Sequence, residues 1–191
     1  MRSTAHLHSA TIALLFIYHL NSQVDTLIGV FFLFGVMGLD ADFILAKIVF
    51  KIQNHRDFIT HNIFVYLILL PIAYSFNPYL FWLILGAIYH LLFDLFDWGL
   101  PLKPTSIVTP HILIVPESKE EVYFFKTYFN NIVIRFVEIV LFSGFLATLL
   151  QFDNVLIYFI LVIELVVLAE FFYQIFRLKQ LNSVSPKLVN M

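Results

Sequence analysis

The chain contains no cysteine, which excludes disulfides, thiolate metal ligands and a cysteine nucleophile. Charge is scarce too: 13% of the 191 residues are Asp, Glu, Lys or Arg, against about 25% in a typical soluble domain. A formal net charge of −2 and the lack of any basic stripe exclude the electrostatic footprint of a nucleic-acid binder. Arg2 precedes an apolar run, as in a secretory signal, but no small-residue cleavage site follows. The run leads instead into IYHLNSQVDT (17–26), so this segment is expected to be retained.

What fills the chain is apolar, with 61% hydrophobic residues and 23 phenylalanines. A helix needs roughly 20 largely apolar residues to cross a bilayer, and six runs fit, at 4–21, 26–44, 58–76, 79–98, 132–151 and 155–176. They predict an all-α, polytopic membrane helix bundle of about six transmembrane helices, forming one integral membrane domain over 1–191. Polar motifs concentrate in 1–116, and 132–176 reads as a C-terminal helical hairpin. SFNP (75–78) and QFDN (151–154) are tight turns, and 99–131 is the one long connection. Positive charges fall into alternate segments: Arg2; then Lys47, Lys51 and Arg56; then Lys103, Lys119, Lys126 and Arg135; then Arg177, Lys179 and Lys187. The three opposite loops carry none. Both termini are therefore expected in the cytoplasm, with the chain multi-pass in the inner membrane.

Ionisable residues inside such spans are costly and face a bundle interior or a water-filled cavity. At 1.5 Å of helical rise per residue, His6 lies about 22 Å from Asn21 and Asp40 about 21 Å from Thr26. By the same measure, His61 lies about 22 Å from Phe76 and Asp94 about 22 Å from Tyr79. Four spans thus bring a histidine or carboxylate to one level in the cytoplasmic half. In GAIYHLLFDLFDWG (86–99), His90 and Asp94 are i and i+4 on one helical face, with Asp97 a further turn on. Imidazole with carboxylate suits Zn²⁺, Mn²⁺ or Fe²⁺ better than Ca²⁺. The plainer alternative pairs Asp94 with Arg56 or Lys103. In GLDADF (38–43), Asp40 and Asp42 point apart on an intact helix, unless the helix loosens at Gly38. Of His6 and His8, only one can face the cluster. His19 falls at the outer interface and His111 on the surface.

Together these residues resemble the membrane-bound, metal-dependent hydrolases described as LexA-regulated and inner-membrane-associated. That family has a histidine before the first span, here His6 in AHLHS. It continues with P-D-x-D (here LDAD, 39–42), H-R…T-H-S (here HRDFITHN, 55–62) and H-x-x-x-D (here HLLFD, 90–94). Its Gly-x-P-L-x-x-P stretch is matched by GLPLKP (99–104) with one residue fewer. The elements occur in order over residues 4–116. Departures are leucine for the proline before Asp40, one extra residue between His55 and His61, and Asn62 for serine. None removes an implied ligand. The resemblance implies that His6, Asp42, His61, His90 and Asp94 bind one or two divalent metals, zinc first, with Asp40 as a further or bridging ligand. Arg56 would clamp an anion through its fork of donors, and His55 would orient or shuttle a proton. The implied partners are the lipid bilayer and a lipid or amphiphilic phosphoester reaching the site from the inner leaflet. Ion- or proton-coupled transport is the alternative, prompted by Glu164 and Glu170 in the sixth span. In that last region the plainer expectation is that Glu138 or Glu170 pairs with Arg135.

Overall fold

A computed structural model describes residues 3–20, 24–39, 59–94 and 132–184. Helices dominate it: α1 (Ser3–Leu20), α2 (Thr26–Gly38), α3 (Ile63–Phe76), α4 (Pro78–Phe93), α5 (Ile132–Leu149) and α6 (Asn154–Val184), with a 3-10 turn at Ile59–His61. Among the described residues there is no strand. The architecture is all-α, and each helix lies on one of the six apolar runs. By length and composition, Asn154–Tyr173 within α6 is the one described segment able to cross a membrane; α2, α3 and α4 are shorter apolar helices.

Local chemistry sets the helix boundaries. Asp25 caps α2 by accepting the Ile28 N–H at 2.8 Å, and Asn62 caps α3 by accepting the Phe64 N–H at 3.0 Å. Asn77 both closes α3 and opens α4. Its backbone N–H reaches the Ala73 carbonyl at 2.9 Å, while its side chain accepts from Tyr79 and Leu80. Pro78, which has no N–H to lose, then occupies the first turn. Hence SFNP makes a hairpin with no separate loop. At the same end of the molecule, Tyr18 donates to the Asp25 carbonyl, Thr26 donates to Asp153, and Asp153 also takes the Leu156 N–H.

α4 is central: it packs most extensively on α2 and next on α3, while α1 lies against α5 and α2. The α2–α4 crossing is backbone against backbone. A methyl group at Gly35 would sit 2.0 Å from the Leu83 carbonyl oxygen, and one at Gly86 would sit 2.1 Å from that of Phe32. Only glycine at both positions allows this reciprocal approach. The apolar core gathers Leu7, Leu14, Phe32, Leu33, Phe145 and Leu156, from α1, α2, α5 and α6.

Gly35→Ala and Gly86→Ala are expected each to destabilise the purified protein by about 1–3 kcal/mol, since the helices must separate. Gly38→Ala, with open space around it among the described residues, should be neutral or slightly stabilising. Chemical unfolding in detergent measures all three. A second expectation concerns pH. Burial pushes the Asp153 carboxyl up, but hydrogen bonds from the Thr26 hydroxyl and the Leu156 and Val155 N–H groups outweigh it, leaving the carboxyl below its ordinary range. A group so depressed adds stability above its unfolded pKa, and that stability is lost as pH falls through the folded value. The stability advantage of wild type over Asp153→Asn should therefore shrink on acidification below about pH 4.

Candidate metal centre

Four residues from three parts of the chain meet in the interior. His6 comes from α1, His90 from the last turn of α4, Asp94 from the position that ends α4, and His61 from the 3-10 turn before α3. All four are buried, none more than 1% exposed. The i, i+4 spacing places the His90 Nε2 3.7 Å from one Asp94 oxygen, and His6 Nε2 comes within 3.1 Å of the other. The His6 and His90 rings stack nearly parallel, 4.1 Å between centroids, and Phe93 closes edge-on against His6 at 5.2 Å.

His6, His90 and Asp94 each offer a donor atom within 4.8 Å of the others, so this buried group could hold a metal ion. Donors about 2.0–2.2 Å from one tetrahedral ion stand roughly 3.3–3.5 Å apart, which brackets well with the 3.1 and 3.7 Å contacts. Neither ring nitrogen of His6 forms a hydrogen bond among the described residues, although Nε2 lies so close to Asp94. Electrostatics agree. Asp94 is a buried carboxylate at the C-terminal end of α4, where the helix dipole already presents negative charge. Such a group calls for positive charge beside it.

His61 is next to this trio rather than within it: its ring meets His90 edge-on at 5.8 Å. Its neighbour Asn62 is the α3 cap. Asparagine is among the residues best suited to that position, because its side-chain oxygen accepts an N–H of the first turn. Asp40, Asp42, His55 and Arg56, together with Asp97, Lys103 and His111, lie outside the described residues. His19 is exposed in the last turn of α1.

His8 and Glu164 form a second buried contact that the sequence reading did not pair. His8 Nε2 lies 3.2 Å from both Glu164 carboxylate oxygens, between α1 and α6. Helical rise carried the clue, since His8 lies about 18 Å from Leu20 and Glu164 about 15 Å from Asn154. Arg135 is exposed on α5.

Searches against protein-family models, curated proteins and solved structures found no match to this chain.

Zinc added to metal-free protein should raise its melting temperature, by an amount that grows with free zinc in proportion to RT ln(1 + [L]/Kd). His90→Ala and Asp94→Ala should abolish that shift, and His19→Ala should leave it intact. Thermal denaturation across a zinc series checks this.

Proposed function

We propose that this protein is a membrane-embedded, metal-dependent hydrolase acting on a phosphoester or related ester of a lipid or amphiphile at the cytoplasmic leaflet. The observation that carries the reading is the buried trio of His6, His90 and Asp94, two imidazoles converging on a carboxylate at the negative end of a helix. Zinc is the ion the donor set favours, because imidazole and carboxylate together suit it. His61, whose ring meets His90 edge-on at 5.8 Å, and Asp40 and Asp42 are the further ligands the family resemblance implies, for one ion or two. When bound, such an ion supplies Lewis acidity, which acidifies water toward neutral pH and polarises an ester oxygen.

The chain's own residues have separable tasks in this proposal. His90 and Asp94 are held in register by one turn of α4, and Phe93 seats the His6 ring. Arg56 binds the substrate's anionic group, and His55 moves or orients a proton at the leaving oxygen. The bilayer setting draws support from the outward faces of α5 and α6, where Phe136, Ile139, Leu146, Tyr158, Leu165 and Phe172 are exposed. Contiguous apolar surface of this kind is unusual on a soluble monomer. Six spans with both termini cytoplasmic, in the inner membrane, complete the proposal and rest on the placement of Lys and Arg.

Detergent-purified wild type loaded with zinc is expected to retain metal after gel filtration and to hydrolyse a member of a phosphoester and lipid panel. His61→Ala/Asp94→Ala should lose both properties. Wild type as empty of metal as the double variant would sink the reading. A second reading, ion- or proton-coupled transport, draws on the buried His8–Glu164 contact. Uptake by sealed proteoliposomes without hydrolysis would favour it.

A further inference from the structure

His6 and His8 are two residues apart on α1, and two steps of about 100° turn them to nearly opposite sides of the helix. One side of α1 thus faces the trio and the other faces α5 and α6. On the far side, His8 contacts both oxygens of Glu164 at 3.2 Å and is flanked by the rings of Phe145 at 4.6 Å and Phe142 at 5.3 Å. Glu164 is buried on α6, and an apolar helix carries a carboxylate there at a cost.

Apart from the Tyr18 bond to the Asp25 carbonyl at the other end of the helix, the rest of the described α1 packing is poorly suited to setting rotation. Leu7, Ala10 and Leu14 are buried in the shared apolar core, and apolar contacts have no preferred direction. Between helices that lie in lipid, apolar burial has even less to discriminate, and polar contacts provide specificity. The rotation matters at the other face. With side chains reaching about 5–6 Å from the helix axis, a roll of about 20° carries a side-chain tip roughly 2 Å. Metal ligands tolerate about 0.2 Å.

We propose that Glu164 is a positioning residue for the metal centre: by holding His8 on one side of α1, it sets the roll of the helix that aims His6 at Asp94 on the other. This rests on the metal reading above and assigns Glu164 a task in the same site, about which the family motifs in residues 4–116 say nothing.

The test uses the full chain in detergent, with cobalt(II) as both ligand and spectroscopic probe. Glu164→Leu is expected to weaken cobalt affinity about 10–100-fold, the loss typical of removing a group that orients a ligand, and to alter the visible cobalt bands. Glu164→Gln retains an acceptor for the His8 N–H and should restore affinity to within about threefold of wild type, along with the wild-type bands. Should Glu164→Leu fail to fold, His8→Leu/Glu164→Leu removes the contact without leaving a buried polar group behind, and the same loss of affinity is expected of it. Wild-type affinity and wild-type bands in either folded leucine variant would overturn the proposal while leaving the metal centre standing. If wild type itself takes up no cobalt, the metal reading fails first and this inference falls with it.

Discussion

The crossing of α2 and α4 at Gly35 and Gly86 is the contact on which the other placements depend. Each glycine faces a carbonyl oxygen of the opposite helix, so the two backbones touch with no side chain between them. That closeness makes α4 the middle of the bundle, with α2 on one flank and α3 on the other. His90 follows Gly86 by one turn and lies on nearly the same face. The glycine contact therefore sets the depth and direction from which α4 presents its imidazole and, one turn further, its carboxylate. Dispersion between closely fitted surfaces suffices to hold such a pair when both sides are equally apolar.

α1 has the opposite character. It inserts two histidines into two different surroundings, one among α4 groups and one between α5 and α6. His6 meets a carboxylate at the end of a helix, where negative charge accumulates. His8 meets a carboxylate in the middle of α6, where the helix dipole has little effect. The same residue types thus serve different electrostatic demands. A carboxylate at a helix C-terminus needs a cation or its equivalent, whereas a mid-helix carboxylate needs a donor for its hydrogen bonds. This difference separates a candidate ion site from an interhelical tie, although both contain a histidine and an acid at close to 3.2 Å.

Much of this was legible in the residues alone. The six apolar runs, the Asn77–Pro78 hairpin and the shared level of His6, His61 and Asp94 follow from length, capping chemistry and a fixed rise per residue. Helical rise is a local property, so it carries depth across helices without knowledge of their packing. The i, i+4 pair in α4 is local in the same way. Asp40 was marked by helical rise as well as by motif, and Asp42, His55 and Arg56 by motif; all four lie outside the described residues.

Rotation about each helix axis was beyond the sequence. Nearly all faces of these helices are apolar, so no amphipathic stripe announces which side turns inward. The tertiary structure decided that His6 and not His8 faces α4, that Glu164 meets His8, and that His61 stands beside the trio without sharing its donor geometry. Composition and rise determine which residues share a level. Only the packing of one helix against another determines which of them face each other, because azimuth depends on contacts between segments far apart in the chain.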